Sequence, residues 1–190
     1  DNNKNILEQK NLIKTLNKYD ICYEFRRAKV ATYRTHLYYL EYEYNPTEND
    51  ITLAAQLSMD RLQMIESLCQ HWKGPISLAI YLSDSQVQQF FSYVTESPSL
   101  SVRKNIGYHI VYREGDFYPI NHLRNIALKQ VQTSFVFLTD VDFLPMPTLY
   151  KYLKETIATN GLNSNQALVV PAFETQRYRF KFPKTKAELL

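Results

Sequence analysis

The 190-residue sequence is 45% hydrophobic and mildly basic, with a formal net charge of +3 at pH 7. This length is typical of one domain with a sizeable core, and the lack of a dense Lys/Arg face argues against a nucleic-acid-binding protein. Two cysteines, Cys22 and Cys69, are too few for a disulfide scaffold, and no apolar run reaches the roughly 18 residues of a transmembrane helix.

The N-terminal part of the chain is predicted to precede the main domain, which we expect over residues 21–190. Residues 1–20 are polar and rich in Asn and Lys, which is typical of a connector, with a short helix over Ile6–Leu16. The segment Cys22–Tyr44 is dense in β-forming residues and is predicted to contain a strand with one aromatic face. The alternating residues of that face are His36, Tyr38, Leu40, Tyr42 and Tyr44.

Four units of a buried strand followed by a helix occupy the centre of the chain. The strands are predicted at Ile51–Leu57, Ile76–Leu82, Ile106–Tyr112 and Phe135–Leu138, with a further strand at Ala167–Ala172. The helices are predicted over Asp60–Trp72, from Ser83 to Val94, from Pro119 to Val131 and from Pro147 to Ala158. This alternation predicts an α/β fold with a doubly wound, mostly parallel sheet and helices on both faces. Neither a GxGxxG nor a Walker-type glycine loop is present, which disfavours Rossmann dinucleotide binding and P-loop hydrolysis.

Two aspartates, Asp140 and Asp142, follow the fourth predicted strand, whose apolar residues suggest burial on both faces. Side chains at i and i+2 of an extended segment point to the same side, about 7 Å apart, and hard divalent cations prefer such oxygen ligands. The pair therefore predicts a metal site, because ligands bind at the carboxyl ends of strands in open α/β sheets. Two alternatives stay open: solvated turn aspartates, and an Asp-nucleophile phosphohydrolase, which the apolar Leu144 at the expected hydroxyl position disfavours.

Further polar side chains follow the other predicted strands or begin helices. They are Gln56, Ser58, Arg61, Asp84, Asn121, Arg124, Asn125, Glu174 and Arg177. Asn121, Arg124 and Asn125 share one helix face near its N-terminus, where phosphate binding is favoured. Ordinary roles as helix caps or surface ion pairs are the competing interpretation. Taken with the aspartates, these groups predict a site for a nucleotide diphosphate and its metal ion.

Four segments carry a resemblance to a known family. They are AQLSMDRLQMIESLCQHWKGPISLAIYLSD, IGYHIVYREGDFYPINHLRNIAL, FVFLTDVDFLP and ALVVPAFETQRYRFKFPKTKAELL. The chain from Cys22 to Leu190 resembles the glucuronosyltransferase domain of LARGE-type bifunctional xylosyl/glucuronosyltransferases, glycosyltransferase family 49. The resemblance implies a GT-A fold, Mn²⁺ dependence and inverting β-1,3 transfer of glucuronic acid from UDP-glucuronate. The implied acceptor is a xylose-terminated glycan on an α-dystroglycan-like glycoprotein, as in matriglycan synthesis.

The resemblance also implies roles for the residues singled out above. Asp140 and Asp142 would hold Mn²⁺. The nucleotide contacts would come from Gln56, Ser58, Arg61 and Asp84, and the contacts to diphosphate and sugar from Asn121, Arg124 and Asn125. Glu174 and Arg177 would border a sugar, with Glu174 a candidate general base by its position alone.

The surroundings of the domain are implied in the same way. A xylosyltransferase domain would lie upstream, residues 1–20 would be the tail of the connector, and the GT-A domain would be cut short at its C-terminus. The protein would face the Golgi lumen as a type II membrane protein whose anchor lies outside this segment. The alternative is a non-catalytic GT-A-like module that binds a nucleotide sugar or a glycan.

Overall fold

The computed structural model describes residues 11, 14–173 and 185–189. Five strands and six helices occur in these ranges, with two short 3₁₀ helices at Met59–Arg61 and Asp84–Gln86. The strands are β1 Thr35–His36, β2 Ile51–Ser58, β3 Ile76–Leu82, β4 Ile106–Tyr112 and β5 Phe135–Leu138. The helices are α1 Tyr23–Val30, α2 Met64–His71, α3 Val87–Glu96, α4 Ile120–Lys129, α5 Leu149–Asn160 and α6 Lys186–Leu189. None of the helices in the described ranges is long and apolar enough to cross a membrane.

The five strands form one sheet in the order β1-β4-β3-β2-β5. Strands β4, β3, β2 and β5 are parallel, and β1 pairs with β4 in the antiparallel direction. All seven residues of β3 are buried, as expected for a central strand of a parallel sheet covered on both faces. The predicted α/β fold with a mostly parallel sheet is therefore confirmed, and it is consistent with a GT-A-like glycosyltransferase fragment.

Helices cover both faces of the sheet because successive side chains of each strand point in opposite directions. Along β2, Leu53, Ala55 and Leu57 belong to the larger core with α2, α3 and α5. The intervening residue Ala54 packs in a second cluster with Leu123 and Ala127 of α4. Gln56 lies two residues beyond Ala54, so it projects on the α4 side of the sheet.

The predicted strand within Cys22–Tyr44 is largely wrong. Tyr23–Val30 is helical, and only Thr35 and His36 pair with β4. The helix is held by a contact between the rings of Phe25 and Phe117, whose centroids are 5.8 Å apart. After His36 the ladder ends because Tyr38 adopts a positive φ of 50° and donates its N–H to Nδ1 of His109, at 3.2 Å. The alternating aromatics therefore reflect ring contacts rather than strand pairing.

The C-terminal edge of the sheet also differs from the prediction. β5 is not buried on both faces, since the side chains of Val136 and Leu138 are 44% and 47% exposed. The predicted strand Ala167–Ala172 is irregular in the structure, with Val169 89% exposed. Among the described residues β5 pairs only with β2, so it is an edge strand with one covered face.

The N-terminal ends of two helices differ in detail. The predicted helix Asp60–Trp72 is a 3₁₀ turn followed by α2, and the predicted helix from Ser83 also begins with a 3₁₀ turn. Ser58 does not cap a backbone N–H; its hydroxyl donates to the carboxylate of Asp60. The helix predicted over Ile6–Leu16 lies largely outside the described residues.

Candidate functional site

The register of β2 and β5 brings Gln56 and Asp140 to the same edge of the sheet. Ala54 pairs with Leu138, and Thr139 donates its N–H to the carbonyl of Ala54 at 3.1 Å. Each polar residue lies two positions further along its own strand direction. As a result, Nε2 of Gln56 donates to Oδ1 of Asp140 at 3.2 Å. The Gln56 side chain is buried, so this hydrogen bond fixes the carboxylate from the β2 side.

The two aspartates lie in a turn rather than on the predicted extended segment. β5 ends at Leu138, and the N–H of Phe143 donates to the carbonyl of Asp140 at 3.0 Å, which closes a turn over four residues. Val141, between the aspartates, is buried in the core and anchors the turn. The argument from i and i+2 strand spacing was therefore wrong, although the turn still presents Asp140 and Asp142 at the carboxyl edge.

Arg124 of α4 is the main charged partner of Asp140. Its Nη2 donates to both carboxylate oxygens, at 2.8 Å to Oδ1 and 3.0 Å to Oδ2. Both side chains are about one-third exposed, at 32% for Arg124 and 35% for Asp140. Arg124 thus forms an ion pair with one of the two predicted metal ligands, as the competing interpretation held, and its predicted contact with a diphosphate or sugar stays a prediction.

Arg61 has the equivalent place beside Asp142. Its Nη1 donates to Oδ1 of Asp142 at 2.5 Å, and its Nε lies 3.5 Å from Oδ2 of Asp60. The side chains of Arg61 and Asp142 are half exposed, at 50% and 52%. The 3₁₀ turn after β2 places Arg61 here in a surface ion pair, as the competing interpretation held, and its predicted contact with the nucleotide stays a prediction.

Tyr118 also contacts the candidate site, although its sequence pattern did not single it out. Its hydroxyl donates to Oε1 of Gln56, the opposite end of the amide that holds Asp140. Its ring packs edge-on against Tyr81 with centroids 5.5 Å apart. Burial raises the pKa of the Tyr118 phenol, so the group is a neutral hydrogen-bond donor. In the sequence, the only signal for Tyr118 was its position immediately before Pro119, which begins a predicted helix.

The remaining predicted residues are not all brought together. Asp84 pairs with Arg34 at the end of β3, separated from β5 by β2. The guanidinium carbon of Arg34 lies 3.7 Å from the ring centroid of Tyr112. Asn121 and Asn125 are exposed on α4. Glu174 and Arg177 lie outside the described residues.

The side chains at this edge of the sheet can be compared with the ligands that a divalent ion requires. Within the ranges that the structure describes, no group of three or more His, Cys, Asp or Glu side chains is arranged to hold a metal. Two partly exposed carboxylates, Asp140 and Asp142, are present, each paired with an arginine. Magnesium-like ions are commonly bound by one or two carboxylates, with water and substrate phosphates completing the shell. The residues therefore fit an ion that binds together with a phosphate-bearing ligand.

Comparisons with known proteins show the family of the chain. A family model described as "Glycosyl-transferase for dystroglycan" matches residues 50–117 and 112–190. The chain is 60% identical over 181 residues to the xylosyl- and glucuronyltransferase LARGE2s of Danio rerio, an alignment that covers 94% of the chain. It is 55% identical over 192 residues to the xylosyl- and glucuronyltransferase LARGE1 of both Mus musculus and Homo sapiens, with 100% of the chain covered. The chain spans about a quarter of the length of these relatives, 24% to 25%.

Proposed function

The chain belongs to the family of glycosyltransferases for dystroglycan, and from this membership we propose that its sheet edge binds a UDP-sugar and a divalent ion for glycosyl transfer. The single observation that carries the proposal is the charge arrangement at the carboxyl edge. Asp140 and Asp142 belong to one turn, and each pairs with an arginine. The side chain of Arg124 is 32% exposed and that of Arg61 is 50% exposed. A nucleotide diphosphate needs both kinds of group, cationic donors for its oxygens and carboxylates for its ion.

In this proposal Asp140 and Asp142 hold Mn²⁺, and Gln56 keeps Asp140 oriented while the ligand binds. The ion would supply charge neutralisation for the departing diphosphate, which is a good leaving group only when its charge is masked. Arg61 and Arg124 bind phosphate oxygens, since guanidinium groups suit planar or tetrahedral oxyanions. Ser58 and Asp84 extend the nucleotide site along the edge formed by β2 and β3. The general base is assigned by position alone to Glu174.

We propose glucuronic acid as the sugar that is transferred, from UDP-glucuronate to a xylose-terminated glycan on an α-dystroglycan-like glycoprotein. The printed names of the relatives combine xylosyl and glucuronyl transfer, so both donors must be compared. Glucuronate differs from xylose by a carboxylate. The guanidinium group of Arg124 already donates to a carboxylate through Nη2 alone, and its remaining donors allow it to contact the sugar carboxylate as well as a phosphate oxygen.

The longer protein that contains this segment is part of the proposal. We expect a xylosyltransferase domain upstream, because the relatives' names carry two activities and the chain spans only a quarter of their length. We also propose that the domain faces the Golgi lumen and that a membrane anchor lies outside this segment.

Calorimetric titration with UDP-glucuronate, UDP-xylose and UDP-galactose, with and without Mn²⁺, tests this proposal. We expect UDP-glucuronate to bind most tightly and only in the presence of Mn²⁺. A xylose-terminated acceptor should then gain the mass of one glucuronosyl residue, which is glucuronic acid less one water. Binding of the donor without any mass gain would favour the non-catalytic module instead. Equal binding of all three donors would remove the argument for glucuronate.

A further inference from the structure

Each aspartate that would hold the metal ion is already neutralised by one arginine. Asp140 pairs with Arg124 and Asp142 with Arg61, which also pairs with Asp60, so two guanidinium groups face three carboxylates. Arg124 occupies both oxygens of Asp140, which are the atoms that a cation would need. A divalent ion at this edge must therefore displace or share both guanidinium groups.

The displaced arginines can pair with the oxygens of a diphosphate when one is bound. Their side chains are 32% and 50% exposed, so both can swing at the sheet edge without crossing the core. Asp140 does not lose its last partner in the exchange. Gln56 still donates to its Oδ1, and the amide of Gln56 is held in turn by the hydroxyl of Tyr118.

Resting on the proposed function, we propose that Arg61 and Arg124 are exchangeable counter-ions that couple metal binding to nucleotide binding. They hold the aspartates while the diphosphate is absent, and they pair with its oxygens when it binds. The ion alone meets two competing cations, and UDP alone meets two arginines already engaged. Each ligand therefore binds more tightly when the other is present, by the same factor, as linkage requires.

A purely structural role for the arginines makes the opposite prediction for the metal. If the guanidinium groups only brace the turn, their removal loosens Asp140 and Asp142 and weakens the binding of both ligands. If they compete with the ion, their removal strengthens metal binding and weakens UDP binding. The direction in which the Mn²⁺ affinity changes therefore distinguishes the two roles.

The test uses the whole 190-residue chain and three variants, Arg61→Gln, Arg124→Gln and the double variant. Mn²⁺ affinity without nucleotide is measured from the electron paramagnetic resonance signal of free Mn²⁺, and UDP affinity at saturating Mn²⁺ by calorimetry. We expect each single variant to bind Mn²⁺ about 5-fold more tightly and UDP about 10-fold more weakly, within the usual range of coupling between sites.

The matched control is Lys104→Gln, which removes one positive charge from an exposed ion pair with Glu41. Lys104 precedes β4, so it lies at the opposite edge of the parallel sheet from the aspartates. This variant should keep the wild-type affinity for both ligands. A change equal to that of the arginine variants would mean that net charge, not pairing, is responsible.

The outcomes separate this inference from the proposed function. If Mn²⁺ enhances UDP binding in the wild type but the arginine variants bind Mn²⁺ no more tightly, the exchange is overturned and the proposed function stands. If Mn²⁺ has no effect on UDP binding in the wild type, both fail.

Discussion

Protonation of His109 should destabilise the fold in a pH range that the structure specifies. The imidazole is fully buried on β4, and its Nδ1 accepts the N–H of Tyr38 at 3.2 Å. Nε2 lies 3.1 Å from Oγ of Ser77, whose hydroxyl donates to the carbonyl of Ala127 at 2.7 Å. The proton of the neutral ring is therefore on Nε2. A second proton, on Nδ1, would face the Tyr38 N–H, so the charged ring does not fit.

The magnitude follows from the shift in the pKa. Burial lowers the pKa of His109 from 6.5 to about 4. The unfolded chain takes up the proton first as the pH falls, so the stabilisation is complete above pH 6.5 and is lost between there and about pH 4. From the proton-binding equilibria, the free energy of unfolding should fall by about 2 kcal/mol at pH 5, and by about 3 kcal/mol once the pH is below both values.

Urea unfolding monitored by fluorescence measures this loss. Trp72 is the only tryptophan in the sequence and is fully buried, so its emission reports on the core. The comparison is between the wild type and His109→Gln, at about pH 7.5 and about pH 5. Most of the 2 kcal/mol decrease should be absent in the variant, whatever its stability at the higher pH. The exposed histidine variant His36→Gln should keep the wild-type decrease. An equal decrease in the wild type and in His109→Gln would refute the reasoning.

Two further substitutions test contacts around the site and the core. Tyr118→Phe leaves the buried Oε1 of Gln56 without its donor, so the free energy of unfolding should fall by about 1–3 kcal/mol. The affinity for UDP in the presence of Mn²⁺ should also fall, because the Gln56 amide would hold Asp140 less firmly. An unchanged UDP affinity in calorimetry would contradict this positioning role. Gly74→Ala would place its Cβ 2.3 Å from Cε2 of Tyr150, so the ring must shift, and thermal unfolding should report a loss of about 1–3 kcal/mol. An unaltered melting temperature would show that the ring moves without cost.

The bounds of three parallel strands could be predicted from the sequence almost to the residue. Ile76–Leu82, Ile106–Tyr112 and Phe135–Leu138 have the bounds that the apolar runs indicated. Such runs are decisive where a strand is covered on both faces, because few polar residues interrupt them. The burial of β5 could not be read in the same way, since its composition does not reveal whether a further strand lies beside it.

The structure of the segment before β2 depends on contacts with residues that are remote in the sequence. The alternating tyrosines fit a strand by periodicity, yet Tyr38 is fixed by His109, which is 71 positions away in the sequence. A helix over Tyr23–Val30 was similarly concealed, because its packing partner Phe117 is remote in the chain. Contacts over such separations decide these elements, and no window of neighbouring residues contains them.

At the candidate site, motif and helix position singled out Asp140, Asp142 and Arg124 in the sequence, while the pairing of Asp140 with Arg124 could be found only from the structure. The structure adds Tyr118 and gives Gln56 its role, since one amide joins the tyrosine hydroxyl to the carboxylate of Asp140. A sequence without coordinates does not show that both acidic groups already have cationic partners.

The most direct measurement is the affinity for UDP with and without Mn²⁺, in the wild type and in the variants Asp140→Asn and Asp142→Asn. The matched control is Asp116→Asn, whose exposed carboxylate pairs with Arg113 in the loop after β4 rather than with Arg61 or Arg124. The account predicts that Mn²⁺ tightens UDP binding in the wild type and in the control, and that neither site variant responds to the ion. An affinity for UDP that is the same with and without Mn²⁺ in the wild-type chain would contradict it.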